Sequence, residues 1–175
     1  MTDGASTAPR SDELRSELES HHGQCFAWAL SCVGGERAEA QDVVQAAYLK
    51  VLDGRARFGG RSSFRTWIFG VIRLTAAEQR RRRWRQLAAW QGPGAAEAEI
   101  GVPTPRESEA DAKRLRRALA LLPARQREVL HLVFYEDLSI REASEVMGVS
   151  LGSARTHYER GKRRLRRLLG IGEDA

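Results

Sequence analysis

Long apolar runs are missing from this 175-residue sequence. No stretch approaches the ~18 uninterrupted apolar residues that a membrane span needs, and the opening MTDGASTAPRSDELR lacks the apolar centre of a signal peptide. A cytoplasmic protein is the expectation. Cysteine is scarce: Cys25 and Cys32 lie seven apart, which on a helix puts them on one face two turns apart, too far for a disulfide. Reduced, buried thiols are expected. His21 and His22 stand close by, but core cysteines beside surface histidines account for the group, and neither a metal nor a cofactor is called for. Phosphate-cradling glycine loops, H-E-x-x-H and G-x-S-x-G are all missing, so nothing supports an enzyme or a small-molecule substrate. Period-two alternation is nowhere sustained, which removes strands.

Positive charge is plentiful. The 29 Lys and Arg against 23 Asp and Glu leave a net of +6, which favours a polyanionic partner, nucleic acid or an anionic membrane face. The length suits one ordinary domain or two small ones. From Asp12 to about Trp90, apolar residues such as Val43, Val44, Ala47, Tyr48 and Val51 recur at helical spacing, interrupted at VGGER and GRARFGGRSS, which predicts three helices. Then comes QGPGAAEAEIGVPTPRESEAD, with the composition of a solvated linker. Residues 97–111 carry five acidic residues and one arginine, a net of −4, either as a solubilising tether or as a mimic of a nucleic-acid backbone in a positively charged channel. Helical periodicity resumes at Ala110 and runs to Leu169, broken at Pro123, around YEDLS and at Gly148, which predicts four helices. The fold class expected is all-α: two small helical domains joined by a flexible acidic linker.

The stretch SEVMGVSLGSARTHYERGKRRL, residues 144–165, carries the most specific local signal. Ile140, Ala143, Val146 and Met147 line one helix face, Gly148 can end that helix in the left-handed conformation, and Ser150 is suited to cap the next. In that next helix Ala154, Tyr158, Gly161 and Leu165 share one face, while Ser153, Arg155, Thr156, Glu159 and Arg160 lie toward the other. Residues 141–167 hold eight basic and three acidic residues, a net of +5. Two helices behind a tight turn, the second rich in donors, form a helix-turn-helix whose second helix enters the major groove. Guanidinium groups there pair with phosphates and read guanine bidentately.

The segment LPARQREVLHLVFYEDLSIREASEVMGVSLGSARTHYERGKRRL resembles the C-terminal promoter-binding domain of bacterial sigma factors, in the extracytoplasmic-function group of the sigma-70 family. AEAQDVVQAAYLKV resembles that group's polymerase-binding helix, and RFGGRSSFRTWIFGVIR its segment for melting and reading the minus-ten element. The likeness covers nearly everything from Leu14 to Leu168, in the family's order. It implies a disordered tail at residues 1–11, region 2 at 12–90, a linker at 91–109 and region 4 at 110–170. It also implies core RNA polymerase and promoter DNA as partners, a cognate anti-sigma factor, and no covalent catalysis.

Residue by residue, the resemblance places polymerase contacts at Asp42, Val43, Gln45 and Tyr48, with one of Val43 and Val44 left for the core because adjacent helical residues point apart. The loop at 57–63 matches the family loop that captures an unstacked base: Phe58 as stacking surface, Gly59 and Gly60 for close backbone approach, and Arg61, Ser62 and Ser63 for polar contact. A plain interhelical turn with Phe58 buried is the other reading of that loop. Trp67 is a core residue or a base wedge, while Arg73, Arg80 and Arg81 belong to a basic run suited to phosphates or to a solvated face. Ser153, Arg155, Thr156, Glu159 and Arg160 would read the minus-thirty-five element. Two departures stand out. Leu74 replaces the family's usual asparagine, so any base contact there is apolar, as to a thymine methyl, and Glu78 replaces a customary aspartate. His157 and Glu159 stand where many relatives carry arginine or bulky residues. The rival reading is a stand-alone helix-turn-helix repressor or activator, binding duplex DNA as a symmetric dimer. A nucleic-acid-modifying enzyme is disfavoured because Glu78 is the only acidic residue between Phe58 and Arg85.

Overall fold

The computed structural model describes residues 11–90 and 109–171. The tail expected at 1–11 and the linker expected at 91–109 lie outside the described residues, apart from Ser11 and Glu109, where helices begin. All regular structure in the described residues is helical, and the chain divides into two compact units, Met1–Ala98 and Glu99–Ala175.

The first unit holds α1 (Ser11–Ser20), α2 (His22–Cys32), α3 (Arg37–Leu52) and α4 (Phe64–Trp90). That makes four helices, not three. The extra division is slight: His21 alone separates α1 from α2, and its backbone still bridges the two, with its N–H donating to the Glu17 carbonyl at 3.2 Å and its carbonyl accepting from Cys25 at 2.9 Å. No proline marks the break and Gly23 falls inside α2, so periodicity alone runs through it. Helices α2, α3 and α4 pack on one another and α1 closes over α2 and α3, burying Leu18, Cys25, Trp28, Val43, Val44, Val51, Ile68, Phe69 and Ile72. The Trp28 indole stacks near Phe69, at 5.9 Å between centroids, and donates to the Phe69 carbonyl at 3.0 Å, so the core's largest side chain is both packed and satisfied. Neither cysteine forms a disulfide; Cys25 is buried as expected, but Cys32, at the end of α2, is only half-buried.

The first half of α4 is amphipathic and buried on one side, whereas residues 80–87 are exposed all round. Polar bonds to α3 hold the middle of the helix. Lys50 Nζ donates to Glu78 Oε2 at 2.5 Å and to Thr75 Oγ1 at 3.1 Å, Gln79 Nε2 donates to the Asp42 carbonyl at 3.3 Å, and Arg83 pairs with Glu39.

The second unit holds α5 (Glu109–Ala120), α6 (Ala124–Phe134), α7 (Ile140–Met147) and α8 (Leu151–Leu168). Ala118, Leu122, Val129, Leu130, Leu132, Leu138, Ala143, Val146, Met147 and Ala154 form its core. Helix α8 comes so close to α6 that a Cβ on Gly161 would sit 3.2 Å from Leu130 Cδ1 and 3.3 Å from the Gln126 carbonyl. Arg114 Nη2 donates to the Leu169 carbonyl at 2.6 Å, tying α5 to the end of α8.

Candidate nucleic-acid interface

In the second unit, local chemistry sets the angle between α7 and α8. Ser139 and Glu142 form a capping box: the serine hydroxyl accepts from the Glu142 N–H at 3.2 Å and the glutamate carboxylate accepts from the Ser139 N–H at 2.9 Å. Gly148 ends α7 at φ 63°, with its N–H on the Glu145 carbonyl and the Val149 N–H on the Ser144 carbonyl. A side chain in that conformation would be strained. Two residues later the Ser150 hydroxyl accepts from the Ser153 N–H at 3.1 Å and starts α8. Ala143, Val146, Met147, Ala154 and Gly161 face the core, leaving Ser153, Arg155, Thr156, Glu159 and Arg160 exposed together on α8. Some donor capacity is already engaged: Thr156 Oγ1 donates to the Gly152 carbonyl at 2.9 Å, and Glu159 lies 3.9 Å from Lys162. Arg155 and Arg160 flank Glu159 and supply the positive charge a phosphate or guanine edge requires.

In the first unit, the loop before α4 and the outer face of α4 form one surface. Phe58 is half-buried, not splayed outward, and sits 5.5 Å from Phe64 and 5.3 Å from Trp67, with Phe64 and Trp67 5.3 Å apart. These three rings brace one another. Gly60 is at φ 66°, while Gly59, Arg61 and Ser63 are exposed and Ser62 half-buried. The Ser63 hydroxyl is engaged within the chain, accepting from the Thr66 N–H at 3.1 Å and donating to Thr66 Oγ1 at 2.9 Å. It starts α4 as a cap does. Arg73 is half-buried and Arg80 and Arg81 are exposed, and Leu74 is 55 % exposed in the middle of this basic helix. Glu78 is drawn aside by Lys50.

On α3 the sequence expectation needs correction. Val43 and Val44 are both buried, Val43 completely, because α1, α2 and α4 cover α3 on several sides and the core arc takes in adjacent residues. Val43 therefore packs the core and offers no surface to a partner. Tyr48 is half-buried: its hydroxyl donates to the Leu18 carbonyl at 3.2 Å and lies 3.4 Å from His22 Nδ1, and burial, reinforced by Cys25, pushes the phenol well above its ordinary pKa. Asp42 and Gln45 are exposed. The apolar part of this face comes instead from Leu49 and Leu52, 55 % and 42 % exposed, one helical turn apart. Only tertiary packing distinguishes these leucines from core residues, since their spacing fits either role.

Comparison with known proteins gives the same two-part order. The family model described as Sigma-70 region 2 matches residues 18–86, and that described as Sigma-70, region 4 matches residues 112–165. The chain is similar to the RNA polymerase sigma factor CarQ of Myxococcus xanthus, 32 % identical over 137 residues that cover 76 % of each chain. It is similar also to the ECF RNA polymerase sigma factor SigF of Caulobacter vibrioides, 31 % identical over 140 residues, 79 % of this chain and 75 % of that one. Among solved structures, the fold resembles the sigma factor RpoE in complex with the anti-sigma factor NepR from Bartonella quintana, with a TM-score of 0.77 at 23 % identity, covering 93 % of this chain and 99 % of the other. CnrH, solved with the cytosolic domain of CnrY, has a TM-score of 0.63 at 21 % identity, covering 94 % and 92 %.

Proposed function

The chain belongs to the sigma-70 family of RNA polymerase sigma factors, in the extracytoplasmic-function group, and from that membership we infer how its residues divide the work. The protein directs core RNA polymerase to promoters and promotes the melting from which transcription starts. The observation that carries the reading is the presence of both regions, in order, each with an exposed polar face where its target must lie.

Asp42, Gln45, Leu49 and Leu52 dock on polymerase, an apolar centre edged by hydrogen-bonding groups as protein interfaces commonly are. Phe58, Gly59, Gly60, Arg61, Ser62 and Trp67 receive the melted minus-ten strand. Exposed arginines of α4 track its phosphates, a contribution that counterion release makes salt-sensitive. Arg155, Thr156, Glu159 and Arg160 read minus-thirty-five base edges from the major groove, and Ser153 contacts the backbone near the α8 N-terminus. No step in this sequence makes or breaks a covalent bond. The protein works in the cytoplasm, where polymerase does; no described helix is long and apolar enough to cross a membrane. Two similar folds were solved with anti-sigma partners, which supports control of this chain by a cognate anti-sigma factor covering its DNA-binding faces.

Run-off transcription from a genomic promoter library, with purified protein and core polymerase, tests the reading. Specific transcripts should appear with the native chain and vanish with the Arg155→Ala, Arg160→Ala double variant. Tight duplex binding by the chain alone, with no transcript depending on it, would instead favour a stand-alone repressor.

A further inference from the structure

Glycine is the poorest helix former after proline, yet Gly70 occupies the second turn of the 27-residue α4. Packing does not require it. A Cβ built on Gly70 meets no atom within 4 Å, in contrast to Gly161, where close approach of α6 explains the missing side chain. The residues around this bare stretch of helix are specific. Trp67 precedes Gly70 by three positions and Leu74 follows by four, so all three lie along one face. Trp67 is steadied by Phe58 and Phe64, each 5.3 Å away, and Leu74 is 55 % exposed. Helical side chains lean toward the N-terminus, which carries the Leu74 methyl groups over the Gly70 turn. Seven residues of helix rise about 10 Å, room for a flat ring between the indole and the leucine.

The surroundings select the ligand. Arg81 continues the same stripe, and Arg73 and Arg80 lie along one side of it. A flat, partly apolar group attached to a polyanion fits these features: a base of single-stranded DNA. Leu74 offers no hydrogen bond, so a base edge made only of polar groups would be left unpaired against it. Thymine alone among the DNA bases presents a methyl group there.

We propose that Trp67, Gly70 and Leu74 form a notch for one thymine of the melted non-template strand, with Gly70 as its floor and Leu74 packed on the C5 methyl. The assignment rests on α4 being the minus-ten reader. It makes Leu74 a specificity determinant, and it gives Gly70 a reason that packing does not.

The test uses holoenzyme formed from the full chain and core polymerase. Promoters are selected from a library randomised across the minus-ten region, and each thymine of the selected non-template strand is then replaced by deoxyuridine, which lacks only the methyl. At one position uracil should weaken open-complex formation about fourfold, the effect of one buried methyl-sized group. Leu74→Asn should erase that difference. Gly70→Ala should raise Tm by about 4–8 °C, as alanine in a helix does, and still open the same promoters less well. Equal behaviour of thymine and uracil at every position, or unimpaired opening by Gly70→Ala, overturns the notch while leaving sigma activity intact. A holoenzyme that selects no promoter overturns the functional reading and the notch with it.

Discussion

Val43 and Leu49 sit less than two turns apart on α3 and have opposite surroundings, one fully buried and the other 55 % exposed. Their substitutions should therefore separate. Val43→Ala leaves a cavity among α1, α2 and α4 and should destabilise the first unit by about 2 kcal/mol, visible in thermal denaturation. Leu49→Ala removes a side chain from the surface and should change stability by no more than about 0.5 kcal/mol, while weakening core polymerase at least about fivefold in a binding titration. The reverse pattern would mean that polymerase meets a different face of α3. Tyr48 belongs with Val43 in this respect: its phenol is half-buried and donates to the Leu18 carbonyl, so its first role is to anchor α1.

At the scale of elements, the helix-turn-helix is built from backbone bonds that the chain satisfies locally. Ser150→Ala removes the acceptor for the Ser153 N–H and should cost about 1 kcal/mol in the second unit, measured by denaturant unfolding. Gly161→Ala poses the opposite question, because alanine is the better helix former. Its Cβ would meet Leu130, which is buried, and the Gln126 carbonyl, which is backbone, at 3.2 to 3.3 Å, so neither neighbour yields easily. A net loss of about 1–3 kcal/mol is expected, with α8 displaced from α6. A gain in stability would show that the α6–α8 approach is looser than the structure has it. Helix α4 illustrates a different balance: residues 80–87 are exposed and gain nothing from the core, and bonds between Lys50 and Glu78, Gln79 and Asp42, and Arg83 and Glu39 tie the helix to α3.

For the whole molecule, the placement of tryptophan provides a built-in reporter. Trp28, Trp67, Trp84 and Trp90 all belong to the first unit, which leaves the second without an indole. Each unit buries its own core, so each should unfold on its own. Leu130→Ala should lower the far-ultraviolet circular dichroism melt of the second unit by about 10 °C or more, the consequence of about 2–5 kcal/mol lost from a small core, and leave the tryptophan fluorescence melt in place. Coincident shifts in both signals would mean that the two units unfold as one.

The sequence by itself determined the helical class, the order of the two units, and the turn between α7 and α8. Each of these depends on residues within a few positions of one another: apolar spacing of three and four, a glycine able to adopt φ 63°, a serine placed to cap. The capping box at Ser139–Glu142 is legible for the same reason, as S-x-x-E. Tertiary structure decided the rest. Neither the burial of both Val43 and Val44 nor the exposure of Leu49 and Leu52 follows from their spacing, because it depends on which helices cover α3. Phe58 is a braced ring and not a free one because Phe64 and Trp67 surround it, and Gly70 is open because nothing packs there. Local bonds are written in adjacent residues, whereas burial is a property of surfaces that meet only when distant parts of the chain pack together.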